Sequence, residues 1–223
     1  IGIKRSSYLI FEDMTVALSA STAFGAEDNW SYLTIKDSHM QHVRLGVTCK
    51  EGSHIVLDNL DIFDTRNGGI FAGGSEDVPV NNTLIQNCEI GRVAANDGIA
   101  WHHSGYPWYN IGSYHRAYNN LVYDCEEQGF DITAGDDILL RGNTTRGPGL
   151  QIGDCTTVLI DNLTQTNAGL FDVNVTGDAT DVIIQNSTFT QGAQTSRGYR
   201  IAITKDTPYD PTPTAGSNGL PPR

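Results

Sequence analysis

The 223-residue sequence predicts an all-β solenoid of about eight stacked coils interrupted by one long aromatic insertion. Two repeated segment types and an unusual composition predict it. The first segment alternates apolar and polar residues and closes on Asn or Asp; the second is a Gly followed by an apolar residue. Both recur every 20 to 33 residues with no helical stretch between them. Two registers kept in phase mean one supersecondary unit stacked repeatedly. The composition agrees: 24 Gly against only 7 Glu and 4 Lys, with abundant Asn, Asp and Thr, disfavours long helices and favours short strands joined by turns.

The first segment runs through Tyr8–Asp13, Tyr32–Asp37, His54–Asn59, Thr83–Asn87, a weaker Arg116–Asn120, Asp137–Gly142, Thr157–Asn162 and Asp181–Asn186. The closing residues serve as anchors at 13, 37, 59, 87, 120, 142, 162 and 186. Stacked Asn side chains at such a turn satisfy one another and the backbone groups that a tight turn leaves bare. The second segment is Gly46-Val47, Gly69-Ile70, Gly98-Ile99, Gly129-Phe130, Gly149-Leu150, Gly169-Leu170 and Gly198-Tyr199. Period-2 strands of this length, all in one phase, make the unit a β-coil.

This arrangement resembles the right-handed parallel β-helix family of carbohydrate-active and surface proteins, over roughly residues 5 to 205. Leucine-rich repeats share such periods, but their LxxLxLxxN pattern is absent. A β-sandwich would not hold the same residue classes in register over eight copies.

The expected organisation is a β-helix domain over 1–206 and a Pro/Gly-rich linker or tail over 207–223. The chain opens at Ile1 with neither a Met nor a signal peptide, and no amphipathic cap precedes it. It therefore reads as a mature or excised piece, with further coils or neighbouring subunits at its uncapped ends. A net charge of −12 and a pI near 4.7 argue against nucleic acid as partner. No apolar run reaches the length of a membrane span. The composition points to an extracellular or cell-surface protein.

Cys49, Cys88, Cys125 and Cys155 contain no CxxC pair, which disfavours a zinc or redox motif; core packing is expected, with a disulfide left open. The sequons at Asn143, Asn162, Asn174 and Asn186 lie mostly at or beside the Asn ladder, where a glycan would not fit.

Strand alternation turns the glycine segments into a surface map. The residue after each Gly faces the core: Val47, Ile70, Ile99, Phe130, Leu150, Leu170 and Tyr199. Thr48, Phe71, Ala100, Asp131, Gln151, Phe171 and Arg200 should face out. So should Lys50, Gly73, His102, Thr133, Gly153, Val173 and Ala202. His102 is thereby expected beside Thr133 and diagonal to Asp131.

The longest coil carries the insertion. Residues 101–118 hold Trp101, Tyr106, Trp108, Tyr109, Tyr114 and Tyr118 with His102, His103 and His115. Insertions in repeat proteins cluster on the binding face, and Tyr and Trp suit sugar rings. Packing of the loop as a lid or against a neighbouring subunit is the plain alternative. Polysaccharide lyases and C5-epimerases of this family remove the proton next to a uronate carboxylate. In that reading His102 or His103 is the base, Tyr106 or Tyr109 the acid, and Asp131 orients the His. Gly98-Ile99-Ala100-Trp101-His102 loosely resembles the Gly-aromatic/apolar-Asp-Pro-His motif of alginate epimerases, with Ala100 in place of the Asp and Trp101 in place of the Pro. Only His102 is carried over.

Trp101, Trp108, Tyr114, His115, Lys50 and Gln151 are expected to contact substrate, and Arg66 and Arg146 to hold carboxylates or sulfates of an acidic glycan. Salt bridges with Asp are the alternative for the Arg residues. A hydrolase would draw two carboxyls from Asp97, Asp131, Asp136, Asp137, Asp154 and Asp172. No metal or cofactor is expected, although calcium held by Asp and backbone carbonyls stays open. A structural or adhesive β-helix of a surface, filament or phage-tail assembly is the non-enzymatic alternative.

Overall fold

The computed structural model of the protein describes residues 1–74, 78–102, 111–167, 171–190 and 199–204. Every regular element among them is a strand, and all strand pairs are parallel, so the chain winds as a solenoid of about eight turns. One sheet collects the glycine strands: Gly2–Lys4, Thr22–Glu27, Leu45–Lys50, Gly68–Gly73, Ile99–Trp101, Phe130–Thr133, Leu150–Gly153, Phe171–Thr176 and Tyr199–Thr204. The other, of 14 strands, takes the anchor segments and the strands that follow them.

The anchors are corners. Asp13, Asp37, Asn59, Asn87, Asn119, Gly142, Asn162 and Asn186 all carry φ between 50° and 68°. Asn, Asp and Gly tolerate this left-handed region best, which is why those residue types recur there. Their side chains also reach across coils: Asn59 Nδ2 donates to Asp37 Oδ1 at 2.7 Å and Asn186 Nδ2 to Asp161 Oδ1 at 2.8 Å. In the second and third coils a single long strand bends through the corner, Trp30–Gln41 and Gly52–Thr65. Later coils split it, as in Asn81–Gln86 and Glu89–Val93.

The fifth anchor is displaced by one residue from the sequence expectation. Asn119 is the corner and Asn120 points inward, only 2% exposed. Asn120 Nδ2 donates to Asn143 Oδ1 and to the Ile85 carbonyl, both at 3.0 Å, and its Oδ1 accepts from the Cys88 amide. Asn143 Nδ2 donates to the Ala117 carbonyl, and its burial closes that sequon to a glycan.

Val47, Ile70, Ile99, Phe130 and Leu150 form the expected inward row of the glycine sheet, all at most 1% exposed. The last two coils differ. Leu150 pairs with Val173, and Val173 with Ile201, so Val173 is a core residue and not an outward one. Asn174 and Ala202 take the row positions assigned to Phe171 and Arg200. In this coil the core position falls at the third apolar residue after Gly169, Val173; Gly169 and Leu170 lie outside the described residues. Cys49, Cys88 and Cys155 are buried, Cys125 partly so, and all four are free thiols.

On the second sheet the outward row between the two core rows is mostly apolar, with Thr34 and Arg116 its polar members. It runs Ile10, Thr34, Val56, Leu84, Arg116, Leu139, Leu159 and Ile183 across successive coils. Ile10 and Ile183, at its two ends, are 69% and 55% exposed.

Candidate functional site

The candidate site lies on the outward face of the glycine sheet, where Ile99–Trp101 pairs with Phe130–Thr133. The register sets Ala100 opposite Asp131 and opposite Phe71 on its other side. Because Ala100 faces out and strand alternation sends Trp101 in, the following His102 faces out again. Asp97 stands in the turn before Gly98. Its side chain and that of His102 reach toward each other across Ala100, an outward alanine that is nonetheless 4% exposed.

His102 Nε2 lies 3.9 Å from Asp97 Oδ2 and 3.9 Å from Asp131 Oδ2. The remaining carboxylate oxygens are tied to the scaffold. Asp97 Oδ1 accepts the Gln128 amide at 2.9 Å, and Asp131 Oδ1 accepts the Thr133 hydroxyl at 3.1 Å. The Phe71 ring meets the His102 ring edge-on at 5.1 Å between centroids, and Lys50 Nζ sits 5.9 Å from the Phe71 centroid. Gln151 continues the row one coil beyond Asp131.

Burial holds the Asp97 carboxyl well above the usual carboxylate range, and the charge of Asp131 adds to the effect. Asp131 is also raised by burial, against the pull of His102 and the Thr133 hydroxyl. Glu127, at the edge of the cluster, is raised by desolvation and then by Asp131 and Glu126. Two carboxyls with linked protonation beside an imidazole give proton donors and acceptors within one small volume. One oxygen or nitrogen from each of Asp97, His102 and Asp131 lies within 4.8 Å of the others, a donor set that could also hold a cation.

The structure brings together His102, Asp131, Lys50 and Gln151 from the expected set, and sends others elsewhere. Trp101 is fully buried, in the inward row with Ala72 and Ile132, as alternation with an outward His102 requires. His115 is also fully buried and stacks on Trp101 at 5.3 Å, with Thr83 Oγ1 2.7 Å from its Nδ1. Neither can meet a substrate; together they fill the core beneath the widest coil. Tyr114 is exposed, but on Gly112–Tyr118 of the other sheet. Arg66 donates to the Ser19 carbonyl, and Arg146 lies on Thr144–Arg146 in the second sheet, so they form no row beside the site. His103, Tyr106, Trp108 and Tyr109 lie outside the described residues.

Asp97 and Glu127 were not linked to His102 by the sequence reading. In the sequence Asp97 stands only among carboxyls for a hydrolase, because four residues lie between it and His102 and nothing marks side chains that converge over a small residue.

Residues 1–145, more than half of the chain, match the family described as right-handed β-helix region. The chain belongs to the right-handed β-helix family. No curated protein sequence matches it. Among solved structures, the alginate lyase from Paenibacillus sp. strain FPU-7 superposes with a TM-score of 0.56 at 12% identity, covering 90% of this chain and 92% of that one. The Streptococcus pneumoniae surface adhesin PfbA gives 0.48 at 13% identity, covering 81% and 69%. The tailspike protein gp49 of Pseudomonas phage LKA1 gives 0.46 at 13% identity, covering 92% of this chain and 46% of that one. The superposition on the alginate lyase, at that low identity, shows a shared fold and no more. Among the described residues no helix is long and apolar enough to cross a membrane.

Proposed function

We propose that this β-helix is an extracellular or cell-surface module that acts on an acidic polysaccharide by removing the proton next to a uronate carboxylate. The observation that carries the reading is His102, facing out between the Asp97 and Asp131 carboxylates at 3.9 Å from each. His102 Nε2 takes the proton. The acid is the protonated member of the carboxyl pair, or Tyr106 or Tyr109 from the segment that follows His102. Phe71 offers an aromatic edge for a sugar ring, Gln151 a polar contact one coil along, and Lys50 a cation for a substrate carboxylate two coils away from Ala100. Return of a proton to the opposite face gives an epimerase; loss of the glycosidic oxygen gives a lyase.

The test is activity on a panel of acidic and neutral polysaccharides, following absorbance near 235 nm from unsaturated uronates, new reducing ends, and epimerisation by NMR. We expect unsaturated or epimerised product from wild type and none from His102→Ala. Reducing ends without unsaturation would replace this reading with hydrolysis by the Asp97–Asp131 pair.

A second reading has its own observation. The mostly apolar outward row from Ile10 to Ile183, interrupted by Thr34 and Arg116, is a surface that an assembly would cover, as in a structural or adhesive β-helix. It predicts a stable oligomer by light scattering and no product from any glycan.

A further inference from the structure

We propose that Asp97, His102 and Asp131 form a binding site for a divalent transition-metal ion of the zinc or manganese class. Two independent features of the cluster point to it.

The first is spacing. His102 Nε2 is 3.9 Å from each Oδ2, and the three donors lie within 4.8 Å of one another. These separations exceed a hydrogen bond, which spans about 2.7–3.2 Å. They suit donors that share an ion: with two separations of 3.9 Å and the third no longer than 4.8 Å, a point equidistant from the three atoms is at most about 2.5 Å from each, against typical metal–ligand distances of about 2.0–2.2 Å for His nitrogen and carboxylate oxygen. Inward shifts of no more than about 0.5 Å close the site.

The second is orientation. Each carboxylate spends one oxygen on the scaffold, Asp97 Oδ1 on the Gln128 amide and Asp131 Oδ1 on the Thr133 hydroxyl. Each turns its other oxygen toward His102. Outer partners of this kind fix ligating carboxylates in metal sites. A merely tolerated pair of acids would instead turn outward to water, but Asp97 is only 4% exposed. The mixed nitrogen and oxygen donor set selects the metal class, since calcium and magnesium prefer all-oxygen shells. His102 and Asp131 keep 22% and 16% of their side-chain surface exposed, so water or a substrate oxygen can complete the shell.

The inference does not depend on the catalytic reading. An Nε2 that ligates a metal cannot accept a proton, so in any one molecule His102 either holds the ion or serves as base, and a bound ion would inhibit the reaction.

The test uses the full chain, stripped with EDTA and dialysed into metal-free buffer. Cobalt(II) binding is followed by visible absorption and zinc binding by calorimetry. We expect one ion per chain, with affinity lowered about tenfold or more in both His102→Gln and Asp131→Asn. His42→Gln, on another face, should bind as wild type does. Circular dichroism and melting temperature confirm that each variant is folded. Absence of binding at millimolar metal, or equal binding by wild type and both folded site variants, overturns the proposal. If the ion binds and raises the turnover of an active glycan, the metal site stands and the base role of His102 falls. If it binds and lowers turnover, with EDTA restoring it, both stand.

Discussion

His102 Nε2 stands 3.9 Å from Oδ2 of Asp131, a carboxylate supplied by the next coil of the solenoid. The contact follows from the register, which places Asp131 directly opposite Ala100. Ala100 carries no carboxyl of its own, and the neighbouring coil supplies one opposite it. Asp97 adds a second from the turn before the strand. The site is thus a product of stacking, and its three members come together only when two coils are in register.

Asp131→Asn keeps the size of the side chain and removes its charge. We expect turnover on a cleaved or epimerised glycan to fall about 100-fold or more, as for loss of an acid–base group. The melting temperature in metal-free buffer should stay level or rise, because Asp131 is a desolvated carboxyl beside Asp97. Activity within twofold of wild type, a limit of about 0.4 kcal/mol in the barrier, would remove Asp131 from the reaction.

His115 gives the fold a pH dependence of defined sign. Burial lowers its pKa to about 4, from an ordinary value of 6.5. Its contribution to stability is complete above the unfolded value and is lost as pH falls through the interval from about 6.5 to about 4. Between pH 7.5 and 5 the loss should be on the order of 2 kcal/mol, measured by urea unfolding. His115→Phe, which keeps an aromatic against Trp101, should flatten that part of the curve. An equally steep curve in the variant would assign the acid sensitivity to other groups.

The solenoid was legible because its repeat repeats a backbone event. Residues that tolerate the left-handed corner recur once per coil, and apolar residues recur at the same distance from a Gly. Asn120 misled by one position because Asn119 and Asn120 both satisfy the pattern, and only burial separates a corner from a core ladder. Trp101 and His115 misled because composition marks them as a sugar-binding pair, whereas alternation from an outward His102 already sends Trp101 inward. Asp131 was reachable by counting along the glycine strands. Asp97 was not, since the bend before Gly98 and the small Ala100 that let it approach His102 leave no periodic trace.

The buried thiols should be silent in the native protein. Burial raises Cys49, Cys88 and Cys155 to about 12 and pushes Cys125 up as well. Thiolate is the reactive form, so Ellman's reagent at pH 8 should report at most the half-buried Cys125 before unfolding and all four thiols in guanidinium. The same burial makes these groups a source of alkaline instability. Their contribution is complete below about pH 8.5 and is lost as pH rises toward about 12. Rapid labelling of two or more thiols in the folded state would contradict the packing of the coils around them.

Neighbouring asparagines in the fifth coil should respond in opposite ways. Asn119 is an exposed corner at φ 54°, so Asn119→Gly removes left-handed strain and should change stability by less than about 1 kcal/mol. Asn120 is buried and bonded to Asn143, the Ile85 carbonyl and the Cys88 amide. Asn120→Ala leaves that amide and that carbonyl without the side-chain partner and opens a void, while Asn143 Oδ1 keeps only the Asn120 backbone amide. Unsatisfied buried groups cost about 1–3 kcal/mol each, so a loss of about 3 kcal/mol or more is expected in urea unfolding. Asn143→Ala should cost a similar amount, and the double variant less than the sum of the two, because both singles break the same bond. Additive losses would mean that the two side chains act separately and that the inward ladder is not a unit of stability.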